Sequence, residues 1–119
     1  SGYWLQMNAN GSFGFALDVT PGDMKFIETA GGYNTNTWYY VTATYDGQSI
    51  KLYVDGVLGA TGSVNGNVDW YPDPAWGFQI GRWSDNDEDF RIDATIDEVG
   101  VWKRALSTNE IADVMTNGL

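Results

Sequence analysis

Trp38-Tyr39-Tyr40-Val41-Thr42-Ala43-Thr44-Tyr45-Asp46-Gly47-Gln48-Ser49-Ile50-Lys51-Leu52-Tyr53-Val54-Asp55-Gly56 decides the fold. Aromatic and β-branched residues fill it, and these suit a pleated, half-buried surface. Thr37–Tyr45 reads as one long strand. Tyr39, Val41, Ala43 and Tyr45 share one face, and Trp38, Tyr40, Thr42 and Thr44 the other. Asp46-Gly47 turns the chain. Ile50, Leu52 and Val54 then alternate with Lys51, Tyr53 and Asp55, the period-two pattern of an antiparallel strand with one buried face. Asp55-Gly56 turns again into a strand over Val57–Thr61, with Gly supplying the positive φ of a tight hairpin.

The same alternation continues on both sides. Towards the N-terminus, Tyr3–Asn8 and Ser12–Val19 flank the hairpin signal Asn10-Gly11, and Phe13, Phe15 and Leu17 share a face. Pro21-Gly22-Asp23 forms a turn before a strand over Met24–Thr29. Towards the C-terminus, Val64–Trp76 is loop, Gly77–Arg82 a strand, and Ser84–Asp89 an acidic loop. Phe90–Lys103 reads as one or two strands. Phe90, Ile92, Ala94 and Ile96 share a face, while Val99 and Val101 have the opposite parity, which places a bulge near Asp97-Glu98. A single helix closes the chain. Ser107 and Glu110 have the spacing of a capping box, Leu106 and Ile111 that of a hydrophobic staple, and Gly118 stands at the end. Evenly spaced strands with turn signals between them predict an all-β antiparallel sandwich, one domain over residues 1–119.

Two stretches carry a resemblance. The first is Trp38–Gly47 followed by Ile50–Gly56. The second is Ile80-Gly81-Arg82, then Ile96-Asp97-Glu98-Val99-Gly100-Val101-Trp102, then Arg104-Ala105-Leu106-Ser107 and Glu110-Ile111. Together they resemble the central hairpin and the closing strand-to-helix signature of the laminin-G-like, concanavalin A-like jelly-roll domains. The resemblance implies a jelly-roll sandwich with one short C-terminal helix, working outside the cell or at its surface. It assigns Trp38 to the fold. It also implies a structural Ca²⁺ with Asp97 on the last strand as a ligand. Domains of this family carry further strands ahead of the equivalent of Tyr3, so the expectation is a domain truncated at its N-terminus. A sandwich lacking those strands exposes edges, which invites homo-oligomerisation or complementation by a missing N-terminal segment.

Composition narrows the chemistry. The 119 residues contain no Cys and no His, so disulfides, thiolate metal sites, His-metal sites and Ser-His-Asp catalysis are excluded. Sixteen acidic against six basic residues give a net charge of −10. Such a surface repels phosphate backbones and anionic membranes, and it favours divalent cations. No apolar run approaches the roughly 18 residues that a spanning helix needs, so no membrane insertion is expected.

The 15% aromatic content points to rings within reach of a ligand. Trp70, Tyr71 and Trp76 lie in a loop stiffened by Pro72 and Pro74, and Trp83 stands close to the acidic loop. Flat rings beside carboxylates and amides suit the C–H faces and hydroxyls of sugars. Folding back as a lid over the sandwich is the alternative for Trp70 and Trp76. Asp85, Asp87 and Asp89 alternate along the acidic loop and offer hard oxygens to Ca²⁺, or stand simply as a solvated loop. The loop is not an EF-hand, because Phe90 and Ile96 occupy the positions of its Gly and bidentate Glu. A retaining glycosidase of this fold would need a carboxylate pair with one member buried in apolar surroundings. Here the intervening Asn86 and Glu88 are polar. The expectation is a non-catalytic carbohydrate-binding or adhesion module whose partner is a glycan. The alternatives are a protein-interaction domain without a sugar site, and a polysaccharide hydrolase or lyase.

Overall fold

A computed structural model describes residues 2–19, 23–69, 77–84 and 87–119. Strands β1 (Tyr3–Met7), β2 (Phe13–Val19) and β3 (Asp23–Glu28) form one antiparallel sheet in that order. Strands β4 (Val41–Tyr45), β5 (Ser49–Val54) and β6 (Val57–Ser63) form a second. A short hairpin of β7 (Arg82–Ser84) and β8 (Asp89–Arg91) precedes helix α1 (Thr108–Asn117).

The decisive stretch folds as its alternation predicts. Val41, Ala43 and Tyr45 lie opposite Val54, Leu52 and Ile50, and all six face inward. Asp55 and Gly56 both have positive φ, 51° and 78°, the geometry of a type I′ hairpin, in which Gly56 is at ease and Asp55 tolerated. The Asp55 carboxylate also accepts from the Tyr40 backbone N–H at 2.8 Å. Phe15, Leu17, Val19 and Ile27 from the first sheet meet Ile50 and Leu52 from the second, with Val64 closing the layer. The sheets approach each other along β3 and β6. At one end Phe13, Tyr33 and Tyr39 pack edge to face, with ring centroids 4.9 to 5.9 Å apart.

Helix α1 seals the outer face of the second sheet, where Tyr53, Leu106 and Ile111 form a small buried cluster joined by Tyr40. Its N-terminus carries the capping box. Ser107 accepts from Glu110 N–H, and the Glu110 carboxylate accepts from the Ser107 N–H. No helix among the described residues is long and apolar enough to cross a membrane.

Three sequence expectations need correction. The strand over Thr37–Tyr45 begins only at Val41, because Asp55 lies in the hairpin turn that ends the ladder. Trp38 therefore falls beyond the ladder and is 67% exposed instead of buried in the fold. The strand over Gly77–Arg82 is shifted to Arg82–Ser84. Of Phe90–Lys103, only Phe90 and Arg91 belong to a strand. The alternation beyond them is present in sequence, but a strand needs a neighbour to accept and donate its backbone hydrogen bonds. Among the described residues, 93–103 find none. Glu98 has φ at 49°, but no strand runs through residues 93–103, so the bulge expected near Asp97-Glu98 does not form. Among the described residues the sandwich is consequently open on one side. An apolar cleft of about 3030 Å³ separates β1 and β4 from residues 77–104.

Candidate functional site

Hairpin β7–β8 places two large rings directly opposite each other. Trp83 pairs with Phe90, and their rings stack with centroids 5.8 Å apart and planes inclined by 23°. Directly opposed cross-strand neighbours stand close enough for such contact. Both remain open to solvent, Trp83 at 42% and Phe90 at 61% exposure. The stacked pair keeps much of its apolar area open and lines the cleft.

The opposite parity of the hairpin carries charge. Arg91 donates to the Asp89 carboxylate through Nη2 at 2.9 Å and Nε at 3.2 Å, and Arg82 Nε lies 3.6 Å from the other oxygen. The Arg91 hydrogen bond, aided by the charge of Arg82, holds the Asp89 carboxyl below the usual carboxylate range. Asp89 is thus an ionised, already partnered group. A general acid needs the reverse, an apolar setting that keeps its proton.

Among the described residues, the other expected carboxylates do not gather around this hairpin in the way a calcium site needs. Asp97 accepts from the Glu98 backbone N–H at 2.8 Å, capping the local kink. Among the described residues, no three Asp or Glu side chains converge on a point that could hold a metal ion. With Asp89 bound by guanidinium groups and Asp97 bound to its own backbone, the described carboxylates do not fit a Ca²⁺ cage, which takes six to eight oxygens. Asp87 is exposed next to β8. Asp85, Trp70, Tyr71 and Trp76 lie outside the described residues. Of the four expected ring residues, the described structure therefore places Trp83 alone. It adds Phe90, which the alternation had placed on one face with Ile92, Ala94 and Ile96. The signal for Phe90 was register: a hairpin closing over Ser84–Asp89 sets Phe90 across from Trp83.

The laminin-G family model described as the concanavalin A-like lectin/glucanases superfamily matches residues 1–112. The chain belongs to that superfamily. No curated protein matches it. Among solved structures, the chain is similar to residues 221–444 of an S-layer domain-containing protein from Clostridium thermocellum. The identity is 21% and the TM-score 0.57, over 93% of this chain and 54% of that one. This superfamily member spans about half the length of that solved chain, and the likeness is one of fold.

Proposed function

We propose that this superfamily member is a non-catalytic carbohydrate-binding module of a cell-surface or secreted protein. The observation that carries the reading is the exposed Trp83–Phe90 stack. Sugar rings expose patches of C–H that lie well on aromatic faces, while their hydroxyls seek charged and amide groups beside them. Arg82, Asp89 and Arg91 lie on the opposite face of the same hairpin, where their ion pairs tie its two strands together. The likeness to an S-layer domain-containing protein supports a place at the cell surface. The low pKa of Asp89 and the absence of His support binding without turnover. The reading rests on the ring stack and involves no bound calcium.

A glycan and polysaccharide screen, run with Ca²⁺ and repeated with EDTA, tests the proposal. Saturable binding that persists in EDTA is the expected result. Failure to bind any glycan, from a sample with native circular dichroism, overturns it.

A second reading, a protein-interaction domain, is favoured by the open side of the sandwich. Among the described residues, strands β1 and β4 each have one strand neighbour, and both border an apolar cleft. The occupant in this reading is a second copy of the chain. Ile96, Val99 and Val101 are exposed on a segment that finds no ladder partner among the described residues, which offers a donor segment for an acceptor edge. Light scattering across a wide concentration range gives a dimer mass if this holds, and a monomer mass throughout if it does not.

A further inference from the structure

The two sandwich sheets differ on their outer faces. Helix α1 covers the second sheet, while the first presents its outer face to solvent. Along that face the register sets Trp4, Ala16 and Phe26 in one cross-strand row and Gln6, Gly14 and Glu28 in the next. Three strands span two inter-strand spacings, so the backbones of Trp4 and Phe26 lie about 10 Å apart.

Gly14 shapes this surface. A methyl group there would meet the Phe26 ring at 2.6 Å and the Gln6 side chain at 3.3 Å. The missing side chain lets Phe26 lie down across the sheet, where it stays 39% exposed. Beside the rings runs a directed chain of hydrogen bonds. The Trp4 indole N–H donates to Gln6 Oε1 at 2.8 Å, and the Gln6 amide donates to Asn8 Oδ1. Asn8 donates in turn to Ser12 Oγ at 2.9 Å and to Glu28 Oε2 at 3.0 Å. Ser12 is fully buried and donates to Asn10 Oδ1 at 2.7 Å. These bonds fix the indole and both amides before any ligand arrives, which lowers the ordering cost of binding.

We propose that this outer face of β1–β2–β3 is a second glycan-binding surface, with Phe26 and Trp4 as ring platforms and Gln6, Asn8 and Glu28 as hydroxyl partners. The inference rests on the carbohydrate-binding reading above and adds a site apart from the β7–β8 hairpin. The ligand class is a neutral oligosaccharide. Two platforms two strands apart suit an extended sugar chain laid across the strands, touching one ring with each of two separated residues. Glu28, Asp18 and Asp23 border the surface of a chain with net charge −10, so uronate-rich and sulfated glycans are repelled.

The test is a titration of the uniformly ¹⁵N-labelled chain with cellohexaose, xylohexaose and chitohexaose, followed by NMR. The Trp4 indole N–H and the Gln6 and Asn8 side-chain amides report on this surface, and the Trp83 indole N–H reports on the hairpin. Saturable movement of the Trp4, Gln6 and Asn8 signals is the expected result. Phe26→Ala and Gln6→Ala should then weaken that transition by about tenfold, as removal of a central contact does. Movement of the Trp83 signal alone overturns this second surface and leaves the carbohydrate-binding reading standing. No movement of either set, with any of the three sugars, overturns both. Polygalacturonate binding as tightly as the neutral sugars contradicts the ligand class.

Discussion

Trp83 and Phe90 show how exposure separates function from stability at a single residue. Neither belongs to the buried core, so truncation opens no cavity there. Trp83→Ala and Phe90→Ala should each leave the urea midpoint nearly unchanged while lowering glycan affinity by about tenfold. A large loss of stability would mean that the pair serves the fold instead. Glu110 makes a different kind of residue-scale statement. Its pKa falls from the ordinary 4.5 to about 2, first through the Arg104 hydrogen bonds and then through the Ser107 backbone N–H. A depressed folded-state pKa contributes stability that is fully present above about 4.5 and disappears as pH falls towards about 2. The pair is exposed, so the effect is small. Comparing urea midpoints of the wild type and Glu110→Gln between pH 6 and pH 2.5 should show a gap that closes on acidification. A gap independent of pH would contradict this assignment.

Among the elements, α1 was the most legible. Ser107 and Glu110 cap it, Leu106 and Ile111 staple it, and Gly118 ends it, all by local rules that require no knowledge of the rest of the chain. Ser107→Ala removes the acceptor for the Glu110 N–H and should cost about 1 kcal/mol in denaturant unfolding. An unchanged midpoint would show that the tertiary seat on Tyr53 holds the helix by itself. Strands β1 to β6 were also readable from alternation and turn residues, because each pairs with a sequence neighbour through a short turn. The segment after β8 was not. Ile92, Ala94 and Ile96 alternate as strand residues do, yet a strand exists only where a partner edge is present. Alternation reports which face is apolar and is silent on whether a neighbour stands beside it. Register at β7–β8 is a similar case: Trp83 was visible as a candidate ring, but its pairing with Phe90 depends on where the hairpin closes.

On the scale of the whole molecule, the core is concentrated where β3 and β6 bring the two sheets together. Leu52 is fully buried there, and Leu52→Ala should cost about 2–5 kcal/mol, enough to threaten folding of a domain this size. Among the described residues the opposite side is open and carries exposed Ile and Val side chains. The net charge of −10 bears on solubility and on the choice of neutral ligands, and it says nothing about the fold. The fold class was therefore open to reading from the chain alone, while the site was only half visible. Residue types suited to sugars could be named, but the outer row of Trp4, Ala16 and Phe26 emerges from cross-strand register that no local pattern encodes.

Carbohydrate binding without turnover is the central claim, and calorimetric titration of the best-binding glycan from the screen into wild type and Trp83→Ala tests it most directly. The account predicts saturable heat with the wild type, about tenfold weaker binding by the variant, and a glycan recovered at its original length. Equal binding by both proteins, or a shortened glycan, would contradict it.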